Sequence, residues 1–221
     1  HSRFALAIGA VALALFVWRI RTFADPFVSP ALFRNGSYLA LSIVGITSYL
    51  CSFATLFLLP QILVHQYELT ASHAGMIIFP GSILAMVASR KIGSIIDHHG
   101  NGTILRYVPL LVLISMALFA LFSGQSWLAI LFIYILMSLG FTIISSSVSN
   151  EISRVLPASQ VGSGMGLYQL LQFFSGAFSV AMASSAMEWQ HDLPLSTAYS
   201  NIFWGLMVIA LVSLVSSFVY L

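Results

Sequence analysis

The chain has 221 residues, of which 59% are apolar and only 6% charged, with a net charge of +2 and a mean hydropathy of +0.99. A soluble globular chain carries roughly 25% charged residues, so this composition cannot furnish a water-facing surface and excludes the soluble classes. The small positive charge implies no nucleic-acid partner, and the lone Cys51 excludes an intramolecular disulfide.

Cutting the chain at its charged and turn-forming residues leaves seven apolar segments: Phe4–Trp18, Ser37–Leu59, Ala74–Ile96, Leu105–Phe122, Trp127–Ser149, Gly164–Met187 and Tyr199–Leu221. A helix needs about 20 apolar residues to cross the bilayer, and only helices satisfy the backbone there without closing a barrel. The expected fold is therefore all-α, a polytopic membrane helical bundle.

The first segment is short. His1, Ser2 and Arg3 before an apolar run imitate a signal peptide, but Trp18-Arg19-Ile20-Arg21 is no small-residue cleavage site and six further spans follow. A spanning helix whose start is cut off is the better expectation, which makes the chain a fragment with an arbitrary boundary at His1. Residues 1–18 are then a truncated helix, 19–36 a loop and 37–221 a six-helix domain.

Seven spans put the loops bearing Arg19, Arg21, Arg34, Arg90, Lys91, Arg106 and Arg154 on one side, leaving only Arg3 of the eight Lys and Arg residues opposite. By the positive-inside rule that side is cytoplasmic, as is the C-terminus of this multi-pass cell-membrane protein. Asn35-Gly36-Ser37 and Asn101-Gly102-Thr103 resemble glycosylation acceptors, but both fall on that side and are expected to be turns.

In the third segment Pro80 removes a backbone hydrogen bond and Gly81 removes steric restraint, so a kink is expected there, either a packing kink or a gating hinge. The sixth opens on Gly162, Gly164 and Gly166 and stays rich in small residues, which suits close helix packing. No Asp, Glu, Lys or Arg lies deep in a span: Glu151 and the other acidic residues fall at span ends or in loops, so a proton relay of the usual carboxylate kind is expected elsewhere.

The polar groups within the spans are uncharged. Tyr49 and Thr55 in the second segment, Tyr134 and Ser138 in the fifth, and Tyr168, Gln169 and Gln172 in the sixth lie among aromatic residues including Phe173. They suit a cavity for a bulky, partly apolar compound, and interhelical hydrogen bonding is the equal alternative. Gln169 and Gln172, three apart, are expected on one helix face. No phosphate loop, metal-ligand spacing or catalytic cluster is present in the sequence, so no cofactor and no enzyme chemistry is expected.

The loop Arg21-Thr-Phe-Ala-Asp25-Pro26-Phe27-Val28-Ser-Pro30-Ala-Leu32-Phe33-Arg34-Asn35, the stretch Ala74-Gly75-Met-Ile-Ile-Phe79-Pro80-Gly81, the loop Gly93-Ser-Ile-Ile-Asp97-His98-His99-Gly100 and the run Val161-Gly162-Ser-Gly164-Met165 follow in this order. Together they resemble the fourteen-helix drug:proton antiporters of the major facilitator superfamily, of the tetracycline efflux type. That resemblance implies that the first segment is a linker helix and the other six the C-terminal six-helix repeat, with the N-terminal half of the same transporter as a missing partner. It further implies export of a small-molecule drug across the lipid bilayer in exchange for protons. Gly93, Asp97 and Gly100 match the family's loop signature, which bridges the two halves and holds the inner gate. Gly162 and Gly164 would receive the equivalent carboxylate of the missing half.

Two departures stand out. His98 and His99 occupy positions where the family usually has a basic residue. Gly176 stands where tetracycline-type members carry a glutamate, which leaves multidrug exporters of cationic dyes, quinolones or biocides as an equal implication. A non-transporting scaffold or sensor derived from a transporter is the alternative from a different class.

Overall fold

The computed structural model describes residues 2–22 and 28–220, so Asp25, Pro26 and Phe27 of the loop motif lie outside the described residues. It is all-helical, and seven of its helices are long and apolar enough to cross a membrane: α1 (Ser2–Thr22), α2 (Gly36–Gln61, continued by a π turn over Ile62–Gln66), α3 (Ala71–His99), α4 (Asn101–Phe122), α5 (Trp127–Val155), α6 (Val161–Trp189) and α7 (Leu195–Tyr220).

Most helices outrun their apolar segments by about a turn. The polar residues beyond the apolar cut remain helical because they cap or complement helix ends. Arg19 and Arg21 occupy the last turn of α1, where a helix dipole favours cations. Asn35 caps α2 by accepting the Tyr38 N–H at 3.1 Å, and Thr70 caps α3 by accepting that of His73 at 3.3 Å. Gly100, at φ 76°, makes the reversal between α3 and α4, a conformation that favours glycine.

Pro60 removes an N–H near the C-terminal end of α2, and the helix widens there into its π turn. Pro80 has no comparable effect, since α3 runs unbroken through it.

The packing has a simple order. α2 and α5 lie together at the centre; α2 also contacts α6 and α7, α5 also contacts α3 and α4, and α4 pairs with α7. Exchanging α2 with α5, α3 with α6 and α4 with α7 leaves this pattern of neighbours unchanged, the signature of two interleaved three-helix repeats. The second helix of each triplet packs on the first helix of the other.

Without a hydrophobic force between helices in lipid, small residues and hydroxyls must hold α2 to α7. Ser48 and Ser213 share a hydrogen bond of 3.1 Å, Ser213 donates to the Val44 carbonyl at 3.3 Å, and Ser216 donates to that of Ala40 at 2.9 Å. In contrast α1 is exposed along its described length except at Ile20, which is partly buried.

Candidate functional site

The α2–α6 pair builds the most ordered polar and aromatic surface. Both helices run in the same direction, and tyrosines of each meet glycines of the other at three successive levels. At the first level the Tyr38 hydroxyl donates to the Gly164 carbonyl at 2.7 Å. At the second, a Cβ on Gly45 would lie 2.0 Å from the Tyr168 hydroxyl, so only hydrogen fits between the helices there. At the third the roles reverse, and a Cβ on Gly176 would lie 2.9 Å from Cε1 of Tyr49 and 3.2 Å from Cδ1 of Phe53. Gly45 and Gly176 are therefore required by close ring contacts and not by backbone conformation.

These contacts seat an aromatic wall. Tyr49 stacks on Phe53 with centroids 4.5 Å apart, meets Phe173 edge-on at 6.3 Å and Phe141 of α5 at 5.9 Å. Phe53 and Phe173 remain 38% and 69% exposed, so the wall is open on its far side. Below it Gln172 donates through Nε2 to the Tyr168 hydroxyl at 2.8 Å, while Ser175 donates to the Gln172 carbonyl at 3.0 Å. The arrangement offers stacking faces and a partly buried amide without a fixed charge, suited to planar, partly apolar guests.

The other candidate residues divide by helix face. Tyr49, Tyr168, Gln172 and Phe173 come together as described, whereas Gln169 lies on the exposed side of α6 and does not share the inward orientation of Gln172. Tyr134 sits on the α3–α5 pair, its hydroxyl 3.2 Å from the Ser82 Oγ and its ring against Gly81, where a Cβ would lie 2.5 Å from Cδ1. Ser138 is buried on α5. Thr55 is fully buried and turned toward α4: it donates to the Cys51 carbonyl at 2.8 Å and lies 3.7 Å from the Met116 sulfur.

The candidate gating residues also separate. Asp97 is exposed, and a Cβ on Gly93 or Gly162 would meet nothing within 4 Å. Any close packing at those two glycines must come from outside the described residues. Gly164 is buried, and a Cβ there would lie 2.3 Å from the Leu156 side chain. Gly81 is the seat of the Tyr134 ring, and Gly100 serves the α3–α4 reversal.

One acidic residue expected at a span end or in a loop is instead buried. Glu151, near the C-terminal end of α5, is 1% exposed and accepts from Asn101 Nδ2 at 2.9 Å, from Arg154 at 2.9 Å and from the Tyr220 hydroxyl. It joins the start of α4 and the ends of α5 and α7. Asn101 is thus more than a turn residue. The only advance sign was the Glu151/Arg154 spacing of three, which places both on one helix face.

These features define a polytopic helical membrane protein with an uncharged aromatic wall on one of two related helix pairs. The chain belongs to the Major Facilitator Superfamily, whose family model matches residues 3–180, a family of transporters and not of enzymes. It is similar to the lincomycin resistance protein LmrB of Listeria monocytogenes, 26% identical over 196 residues that cover 87% of this chain and 41% of that protein. It is also similar to the riboflavin transporter RibZ of Clostridioides difficile, 27% identical over 184 residues, 81% of this chain and 40% of that protein. The Bacillus subtilis LmrB protein is 24% identical over 233 aligned positions, gaps included, which cover 96% of this chain and 48% of that protein. The chain spans less than half the length of these curated relatives.

Proposed function

We propose that this chain is the C-terminal half of a secondary active transporter that exports a planar, amphipathic drug-like compound in exchange for protons. The observation that carries the substrate class is the open aromatic wall of Tyr49, Phe53 and Phe173 beside the Gln172 amide. Names of relatives that refer to lincomycin resistance and to riboflavin transport fit export or passage of such multi-ring or amphipathic solutes. Gly176 leaves no room for a side chain against Tyr49, which favours a multidrug assignment over the tetracycline type.

The outer faces of α3 and α6 carry exposed Met76, Phe79, Met86, Leu170 and Phe174, a surface suited to cover by an N-terminal half in the bilayer. Residues 1–18 would act as a linker helix and 19–36 as a cytoplasmic loop, leaving 37–221 as the six-helix domain. The C-terminus would be cytoplasmic. Gly93, Asp97 and Gly100 at the end of α3, with Gly162 and Gly164 at the start of α6, would form this half's part of an inner gate, and Pro80 and Gly81 its hinge. Proton-carrying carboxylates are assigned to the other half, because the aromatic wall holds none.

The test is efflux of a fluorescent dye from energised vesicles carrying the full-length transporter. Efflux should stop when a protonophore collapses the gradient; efflux that persists rules out proton exchange. Topology is tested separately. Cysteines at Ser126 and Thr197 should react with impermeant thiol reagents in intact cells and cysteines at Gly102 and Ser159 should not, while labelling of the second pair would reverse the orientation.

A further inference from the structure

We infer that Gly176 is the residue that sets the bulk of compound the aromatic wall accepts, acting as a positioning residue through Tyr49 and Phe53. This rests on the export function proposed above. The wall is a stacked pair of rings held flat against α6 by the absence of a side chain at one position. A single carbon added at Gly176 would stand 2.9 Å from Tyr49 Cε1, closer than carbon atoms tolerate, and a tight 3.2 Å from Phe53 Cδ1. Tyr49 is itself packed by Phe53 at 4.5 Å, Phe141 of α5 at 5.9 Å and Phe173 at 6.3 Å, so it passes the push to its neighbours, of which Phe53 and Phe173 are 38% and 69% exposed and have room to move away from α6. Displacement therefore narrows the space in front of the wall.

The level below shows why Gly176 and not Gly45 has this effect. A side chain at Gly45 would strike the Tyr168 hydroxyl, which is 1% exposed and holds Gln172, so its effect would fall on helix packing as a whole. At Gly176 the neighbours are rings of the wall itself, partly buried Tyr49 and partly exposed Phe53. The same glycine type thus supports the helix contact at one level and shapes the open surface at the next.

The experiment compares acriflavine, a flat three-ring dye, with ethidium, whose phenyl group stands out of its ring plane, in cells carrying the full-length transporter. Gly176→Ala should lower ethidium export relative to acriflavine by about tenfold, the scale of one added carbon in an apolar pocket, at unchanged membrane abundance. Adding Tyr49→Leu should restore the ratio by removing the nearest ring. Gly205→Ala on α7, where an added carbon meets nothing within 4 Å, should leave both dyes unchanged. Equal loss for both dyes, with no restoration by Tyr49→Leu, would make Gly176 a packing residue only, and an unchanged ratio would remove it from the wall. Binding of the two dyes to the purified transporter, read by fluorescence, separates this from the function itself. A wild type that binds both and exports neither overturns the export function, while the Gly176→Ala binding ratio still decides the inference.

Discussion

The α2–α6 pair and the α3–α5 pair occupy equivalent places in the interleaved repeats, yet they are fastened differently. Each lays a tyrosine of its central helix over a glycine of its flanking helix, Tyr49 over Gly176 and Tyr134 over Gly81. The first pair adds two further tyrosine–glycine contacts, at Gly164 and Gly45, and an amide on the Tyr168 hydroxyl. The second adds the Ser82–Tyr134 hydroxyl contact, and below it α3 presents exposed Asp97 and an uncrowded Gly93. One frame has thus been given two tasks. The pair with three tyrosine–glycine contacts bears the aromatic wall, and the pair with one such contact, though packed as extensively, ends in the exposed Asp97.

The largest effect should come from Gly45→Val, which forces the Tyr168 ring out of its seat. We expect a loss of about 3 kcal/mol in denaturant unfolding of the purified protein, the upper end for overpacking. A loss no greater than that of Gly81→Ala would erase the contrast between the pairs. Next, Glu151→Leu should cost about 1–3 kcal/mol by leaving the Asn101 and Tyr220 donors without their acceptor, and restoration by Glu151→Gln should be partial. An unchanged unfolding midpoint would mean that these helix ends are held by packing alone.

Asp97→Asn should abolish most transport in the full-length protein while membrane abundance is kept, because the exposed carboxylate supports no contact within the described residues' core. Normal export would take Asp97 out of the gate. Gln172→Ala should alter the relative resistance to different drugs, and a uniform loss would indicate a packing role instead. The smallest effect is expected from Gly93→Ala. Helix propensity alone should make this chain about 0.5–1 kcal/mol more stable, so any transport defect would report a neighbour outside it.

Much of the fold was legible because lipid leaves few choices: apolar length dictates helices, and basic residues mark their shared ends. The helix ends were less so, since Glu151 reads as a loop-side charge until Asn101 and Tyr220, remote in sequence, are brought onto it. The side chains that gather at the candidate site, Tyr49, Tyr168, Gln172 and Phe173, could be named from the sequence. Its facing was not. Tyr49 and Thr55 sit six positions apart on a helix of about 3.6 residues per turn, so they point to different neighbours, a fact hidden when both helix faces are apolar. In α6 the small residues Ser175, Gly176, Ala177 and Ser179 encircle the helix, and composition could not single out the one under Tyr49.

The interleaving of the repeats has a consequence for synthesis. Tyr38 and its acceptor Gly164 lie 126 positions apart, and α3 likewise waits for α5. When the first triplet has entered the bilayer, the bare glycines on α2 and α3 have no rings to receive. Assembly of this bundle is therefore a late event in which the second triplet slots into the first after insertion, and truncation after α4 should yield helices that span the membrane without closing into a bundle.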